Sequence, residues 1–250
     1  MYKTTKALIL REVKYRESDK ILTALTQDEG KITVNARGAL RRGCRFAAAS
    51  QVLAYSEMTL FGNRGKWSIN EAQTIEQFLP LRSSIESLAL GSYFAEALEA
   101  VTDEDSPNPE VLQLGLNSLY ALARGMYAPA HIKEVFEMRL MCLSGFEPDV
   151  YGCAVCGSEE PNGPMLSLNG GIIHCAGCNP GASGVSLPVG RSVLDAIKYI
   201  ILAEPKKIFS FSLPPEEEKQ LAGICEAYMT AQLERGFGAL DYWKTVSYRG

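Results

Sequence analysis

Histidine is nearly absent: the chain has 2 in 250 residues, His131 and His174. A Ser-His-Asp triad or a histidine-rich metal site would have to use one of them. Neither has suitable neighbours. Ile173-His174-Cys175 lacks the glutamate of the H-x-E element that accompanies P-C-x-x-C in zinc deaminases, so His174 reads as a knuckle residue and His131 as a helix-start residue. No run approaches the roughly 20 consecutive apolar residues of a membrane-spanning helix, so no membrane role is expected. No dinucleotide fingerprint is present. Gly62-Asn63-Arg64-Gly65-Lys66 is two residues too short for a phosphate loop and is followed by Trp67 rather than Ser or Thr. Asp103-Glu104-Asp105 falls in a linker between two helical stretches and reads as solvated carboxylates. The first residues, Met1 to Lys6, lead into no apolar run of signal-peptide length, so a reducing cytoplasm is the expected setting. These absences point to a protein that is not an enzyme.

Cysteine, by contrast, is patterned. Cys153-Ala154-Val155-Cys156 and Cys175-Ala176-Gly177-Cys178 are two CxxC pairs separated by 18 residues. Two such knuckles can bring four sulfurs to the corners of a tetrahedron around one Zn²⁺ without borrowing a histidine. With no ligand position left for water or substrate, the metal would organise the fold rather than catalyse. Gly157, Gly163, Gly170, Gly171 and Gly177 supply knuckle turns. The competing readings are a redox pair, disulfides and an iron–sulfur cluster on the same ligands. The total of 7 cysteines is odd, which argues against a disulfide framework. Cys44 reads as a loop thiol, and Cys142 and Cys225 as helix-core thiols.

The net charge of −4 conceals a split. Residues 1–80 carry 13 Lys+Arg against 8 Asp+Glu, a net of +5, and the remainder carries 12 against 21, a net of −9. A basic amino-terminal domain suits a polyanion. Up to residue 80, β-branched and apolar runs recur at barrel spacing: Thr5–Leu10, Ile21–Thr26, Lys31–Ala36, Gln51–Phe61 and Lys66–Ile75. Five strands of this size predict an OB-type barrel. Asp28-Glu29-Gly30 and Gly62-Asn63-Arg64-Gly65 provide turns, and Ser18-Asp19-Lys20 reads as a loop.

After Pro80 the period becomes helical. Leu81–Val101 carries Ile85, Leu88, Leu90, Tyr93, Phe94, Ala97, Leu98 and Val101 on an apolar stripe, and Pro107-Asn108-Pro109 opens a second helix to about Met126. A third helix is predicted over Pro129–Leu143, a fourth from Pro188 through Leu202, and a last one from Pro214-Pro215-Glu216-Glu217-Glu218 to about Arg235. The predicted class is α+β and multidomain: a barrel over 1–79, a helical domain over 80–145 resumed at 183–250, and an inserted four-cysteine zinc ribbon over 146–182. With Asp149, Glu159 and Glu160 but no Lys or Arg between Arg139 and Arg191, the ribbon is not expected to touch DNA.

The segment from Asn35 to Arg45 is the most pointed part of the barrel. Arg37, Arg41, Arg42 and Arg45 fall within nine residues spaced by Gly38 and Gly43. A flexible positive loop of this kind can follow a phosphate backbone and present guanidinium planes to bases. Lys14, Arg16, Lys20, Lys31, Arg64 and Lys66 extend the candidate surface. The competing reading is a solvated loop. Tyr15 and Trp67 are candidate stacking residues, with a core role as the alternative.

These segments resemble a known family. Ala7–Leu10, Tyr15-Arg16-Glu17-Ser18-Asp19-Lys20, Leu25-Thr26, Gly30-Lys31, Ala36-Arg37-Gly38 and the arginine cluster closely resemble the amino-terminal barrel of bacterial RecO recombination-mediator proteins. Tyr93-Phe94-Ala95-Glu96, Phe136-Glu137-Met138-Arg139-Leu140, Gly145-Phe146-Glu147-Pro148-Asp149 with Cys153–Gly157, and Gly170–Cys175 look like the same family, so the likeness runs to about residue 200. Where that family often has proline, lysine and serine after its basic pair, this chain has Gly43-Cys44-Arg45, in which Arg45 restores the charge. It keeps all four cysteines that some relatives lack, which places it with the zinc-bearing branch.

The resemblance implies a non-enzymatic, nucleoid-associated cytoplasmic protein. Such a protein binds single- and double-stranded DNA, anneals complementary strands, joins RecR and helps RecA replace single-stranded-DNA-binding protein. It also implies that the helical domain receives the acidic, aromatic-ended tail of the single-strand-binding protein, for which Arg124, Lys133 and Arg139 are candidates, a solvated helix face being the alternative. The same barrel-and-ribbon parts serve RNA in other proteins, so an RNA-binding role in translation or RNA metabolism stands as the alternative function.

Overall fold

The β-branched runs of the first seventy-six residues close into a barrel. The computed structural model describes residues 1–63, 66–181 and 184–247, in two compact units: Met1–Met126 with the segment from Phe237, and Tyr127–Gly236. In the first unit, strands β1 (Tyr2–Tyr15), β2 (Asp19–Thr26), β3 (Lys31–Ala36), β4 (Tyr55–Asn63) and β5 (Lys66–Glu76) follow the order β1-β2-β3-β5-β4 around a closed barrel. All pairs are antiparallel except β3 with β5, where Val34 faces Trp67 and Asn35 faces Ser68.

Closure depends on one long strand. β1 pairs through Tyr2–Leu8 with β4 and through Ala7–Tyr15 with β2, with a register irregularity between Ile9 and Arg11. A bulge there bends the strand and lets it serve both neighbours. Alternating side chains of all five strands fill the interior, including Ala7, Ile9, Leu22, Ala24, Ile32, Val34, Met58, Leu60 and Ile69. Beyond the bulge, Arg11–Tyr15 are exposed on both faces. The outer half of β1 is therefore a two-stranded arm rather than barrel wall.

Helices α1 (Ile85–Val101) and α2 (Pro109–Ala123) complete this unit with α6 (Gly238–Ser247). Ser84 caps α1, accepting a hydrogen bond from the Ser87 amide, and Asn108 does the same for Val111 at α2. The Glu96 carboxylate of α1 accepts hydrogen bonds from the Gly238 and Ala239 amides, which satisfies the free donors at the start of α6. The barrel is fastened to α1 by an ion pair between Arg11 and Glu99 at 2.9 Å and by Lys31 Nζ donating to the Glu99 carbonyl at 2.8 Å.

The β2–β3 turn is held under the linker that follows α1. Lys31 N donates to the Asp103 carbonyl at 3.1 Å, and Gly30 has φ +68°. A Cβ on Gly30 would lie 2.6 Å from the Ser106 carbonyl oxygen and 2.7 Å from the Ser106 carbonyl carbon and amide nitrogen, all backbone atoms. Gly30→Ala therefore combines left-handed strain with a clash and is expected to cost about 2–4 kcal/mol. A lower urea midpoint for loss of barrel structure checks this.

The second unit contains α3 (Pro129–Leu143), α4 (Arg191–Leu202), α5 (Pro215–Leu233) and a three-stranded sheet of β6 (Pro164–Ser167), β7 (Ile172–Cys175) and β8 (Ser186–Pro188) in the order β7-β6-β8. α3 is its central element, with Ile132, Val135, Phe136, Met138, Leu140 and Met141 all buried. The Tyr228 hydroxyl of α5 donates to the Phe146 carbonyl at 3.0 Å just beyond the end of α3. No helix among the described residues is long and apolar enough to cross a membrane.

Candidate nucleic-acid interface and metal centre

The chain leaves β3 at Ala36 and runs to Tyr55 as a series of turns rather than as a strand or helix. Ala39, Ala49 and Ser50 are buried and pin this segment to the barrel, while Arg37, Arg41, Arg42 and Arg45 are exposed. Gly38 and Gly43 have φ +70° and +80°, conformations that glycine adopts without strain. The four arginines surround a groove of about 680 Å³, whose floor adds Phe46, Asn70, Glu71 and Ala72.

Loop and β1–β2 turn are joined by hydrogen bonds. Asp19 Oδ1 accepts from the Gly38 amide at 2.7 Å, the Ser18 carbonyl accepts from the Leu40 amide at 2.9 Å, and Arg41 Nε donates to Ser18 Oγ at 3.3 Å. The Gly38 amide, assisted by Ser18 and by the charges of Arg16 and Arg41, holds the Asp19 carboxyl below the ordinary carboxylate range against a smaller effect of burial. Because the folded pKa is depressed, this anchor is present above the unfolded pKa and is lost only as pH falls through the lower folded value. It is fully formed at neutral pH. Arg16, with φ +57°, places its guanidinium 5.2 Å from the centre of the Tyr15 ring at the same turn.

The remaining basic candidates are placed differently from one another. Lys14 is exposed and faces Lys20 in the β1–β2 register. Lys20 is itself only 12% exposed in its side chain and pairs with Glu12 at 2.8 Å. Lys31 is engaged with α1, Lys66 is exposed at the start of β5, and Arg64 lies outside the described residues. Of the aromatics, Tyr15 is 43% exposed, whereas Trp67 packs on the barrel core and covers Gly62. Phe46, which carries no sequence signal of its own, is half-buried at the groove.

The partner candidates fall in both units. Arg124, the residue ending α2, lies 5.3 Å from the Tyr120 ring and lines a groove of about 360 Å³ with Ile75, Phe78, Leu79 and Tyr120. Lys133 is buried, with its ammonium 2.9 Å from both Glu137 and Glu226. Arg139 donates to the Ile200 carbonyl at 3.0 Å and to the Ile201 carbonyl, capping the end of α4.

Cys153, Cys156, Cys175 and Cys178 come together in the second unit, with all four sulfurs within 4.8 Å of one another. Four sulfurs about 2.3 Å from a zinc ion define a tetrahedron with edges of about 3.8 Å. Cys156 Sγ and Cys175 Sγ are 3.9 Å apart. Backbone amides point at the sulfurs: Cys156 N and Cys175 N donate to Cys153 Sγ at 3.5 and 3.4 Å, and Asn162 N donates to Cys175 Sγ at 3.3 Å. Those donors stabilise thiolates, and the Cys156 amide foremost draws the Cys153 thiol down to about 6. Burial and the neighbouring sulfurs push Cys178 up to about 12. Four thiolates this close together would repel one another, which a bound cation relieves, and the residues fit a four-sulfur metal site. His174 is not part of it. Its Nε2 is 2.9 Å from Ser186 Oγ and its Nδ1 2.9 Å from the Cys175 carbonyl.

Cys225 is buried and Cys142 half-buried, and burial pushes the Cys142 thiol up to about 12. Cys44 is half-buried at the arginine groove.

Family comparison agrees with both halves. Residues 1–78 match the model for the recombination protein O N terminal, and residues 82–241 match that for the recombination protein O C terminal. A protein of Acetivibrio thermocellus named DNA repair protein RecO is 32% identical over 245 residues, 98% of this chain and 97% of its own length. Proteins of the same name from Alkaliphilus metalliredigens and Listeria monocytogenes are 27% and 29% identical, over 97% and 88% of this chain and 98% and 86% of theirs. With barrel, helices and cysteine cluster all inside the matched length, the chain belongs to the recombination protein O family of DNA repair proteins.

Proposed function

We propose that this protein is a recombination mediator that binds single- and double-stranded DNA along the rim formed by the arginine loop and the β1–β2 turn. The observation that carries this reading is the set of four exposed arginines, Arg37, Arg41, Arg42 and Arg45, around one groove and tied through Ser18 and Asp19 to the turn bearing Arg16. Exposed Lys14 and Lys66 are proposed to add to this basic surface, Lys20 and Lys31 would have to leave Glu12 and the Glu99 carbonyl to join it, and Arg64 is proposed from its sequence alone. Backbone contact leaves base edges free, which is what annealing of two complementary strands requires. In this reading the functional division is a DNA-binding barrel over 1–79, helical parts over 80–145 and 183–250, and a zinc module over 146–182.

The four cysteines hold one structural Zn²⁺, since their fourth position is a thiolate and leaves none for a reacting molecule. The protein acts without catalysis, in the cytoplasm, on DNA coated by single-strand-binding protein. It joins RecR and so helps RecA load. Among the partner candidates, Arg124 offers a cation beside exposed Leu79, Ile75 and Tyr120, the chemistry an acidic, aromatic-ended tail requires. Lys133 and Arg139 would need to exchange their present partners to take part.

Binding of labelled oligonucleotides of one sequence as DNA and as RNA, each across a salt series, tests the reading. DNA preference with a steep salt dependence and co-purification with RecR support it, and RNA preference with ribosome co-purification favours the alternative role in RNA metabolism. Asp19 gives a sharper test. Asp19→Ala removes a negative charge beside arginines, which by charge alone would tighten DNA binding. We expect it instead to weaken binding by about 3- to 10-fold, because the Gly38 amide and the loop lose their anchor. Asp19→Asn keeps an oxygen acceptor and is expected to bind at least as well as the parent.

A further inference from the structure

We propose that His131, Glu134 and Glu218 form a second metal site, which takes one divalent first-row cation through the imidazole Nδ1 and two carboxylates. The site lies wholly in the second unit, apart from the four cysteines, and draws on α3 for two ligands and on the first turn of α5 for the third.

The imidazole is arranged as a ligand. His131 Nε2 is 3.1 Å from the Phe209 carbonyl, which can only accept, so this nitrogen carries the proton. In the neutral ring Nδ1 then has a free lone pair, and it faces Glu134 Oε1 at 3.1 Å and Glu218 Oε1 at 3.6 Å. A ligating histidine typically donates its other N–H to a backbone carbonyl in this way. Phe211, at 4.7 Å between ring centres, and Tyr127, at 5.6 Å, hold the ring in place.

The carboxylates point to a cation independently. Glu134 is fully buried, and its second oxygen, Oε2, finds no hydrogen-bond partner among the described residues. A buried carboxylate oxygen left unpaired is costly. The neighbouring Lys133 ammonium does not relieve it, since it bonds to Glu137 and Glu226 instead. Three candidate donor atoms, one from each residue, lie within 4.8 Å of one another. Donors about 2.0–2.2 Å from a shared ion are separated by about 2.9–3.6 Å, the range in which the two imidazole–carboxylate distances fall. Two carboxylates and a neutral imidazole carry a charge of −2, which a divalent ion cancels. Glu218, with its side chain 36% exposed, forms the mouth through which an ion enters and where water completes its coordination. Bound there, the ion would clamp α3, the start of α5 and the Phe209 segment to one another.

Mn²⁺ is the suitable probe, because imidazole and carboxylate oxygen accept it whereas thiolates select softer ions. The full-length protein, with its cysteine site loaded, is titrated with Mn²⁺ while the signal of free aqueous Mn²⁺ is followed by electron paramagnetic resonance. We expect one ion bound per chain at micromolar concentration, a rise in melting temperature on binding, and at least tenfold weaker binding in both Glu134→Gln and Glu218→Gln. Glu218→Gln alters a partly exposed side chain, so its melting temperature without Mn²⁺ should equal that of the parent, which excludes misfolding as the cause. No bound ion in the parent, or equal binding by Glu218→Gln, overturns the proposal.

Discussion

Replacing Cys156 by serine is expected to remove the metal from the cysteine cluster and to lower the melting temperature by on the order of 5–10 °C. Three thiolates and a hydroxyl cannot supply the charge and softness that a tetrahedral sulfur site provides. The first knuckle then loses what holds it together, since its own side chains pack little: Cys153 is buried, but Ala154, Val155 and Cys156 are exposed. Its remaining ties are backbone bonds such as Ala154 N to the Ile173 carbonyl at 2.9 Å. Packing does not explain the expected loss, because Cys156 itself is exposed. Val155→Ser, a polar change in the same knuckle at a side chain 46% exposed, is the matched control and should melt like the parent. A strong chelator should reproduce the Cys156→Ser effect in the parent and have no further effect on the variant. Equal melting temperatures for Cys156→Ser and the parent would mean that the cluster does not support folding.

Replacing Arg42 and Arg45 together by alanine is expected to weaken DNA binding by about 10- to 100-fold at low salt. The slope of log K against log salt should fall by about 1.4 on single strands and about 1.8 on duplex. These two are the suitable pair because Arg41 also donates to Ser18 and helps to set the loop. Both side chains are exposed, so the melting temperature should not change. Lys206→Ala, at an exposed lysine of the other unit, should leave the slope unaltered. An unchanged slope in the double variant would remove the loop from the DNA site.

Much of the fold is legible in the sequence because its signals are local. The run Lys31–Ala36 coincides with β3, and the barrel core follows from alternation inside the five runs. β1 reads short, as Thr5–Leu10 instead of Tyr2–Tyr15, because its outer half is exposed on both faces and shows no alternation. α6 has no comparable local signal. Its ten residues are held to α1, far back in the sequence, by the Glu96 carboxylate accepting from the Gly238 and Ala239 amides. The cysteine cluster is legible for the opposite reason, since CxxC spacing encodes the geometry of a knuckle directly.

The polar residues show where such reading stops. Ser18-Asp19-Lys20 reads as a plain loop, yet Asp19 anchors Gly38, a bond across nineteen positions that no spacing rule signals. Lys133 and Arg139 read as partner candidates or, alternatively, as a solvated helix face, but α3 is covered on nearly every side. Its charged residues Lys133, Glu134 and Glu137 are consequently buried. His131 reads as a helix-start residue. The i, i+3 spacing to Glu134 is visible in the sequence, whereas Glu218 and the Phe209 carbonyl come from distant segments.

The activity proposed for this chain is the pairing of complementary DNA strands. Annealing of two complementary oligonucleotides, one coated with single-strand-binding protein, is followed by fluorescence across a salt series with and without the protein. We expect annealing that is faster with the protein, with the acceleration fading as salt rises and absent in the Arg42→Ala, Arg45→Ala double variant. No acceleration by folded, metal-loaded protein at any salt concentration would contradict it.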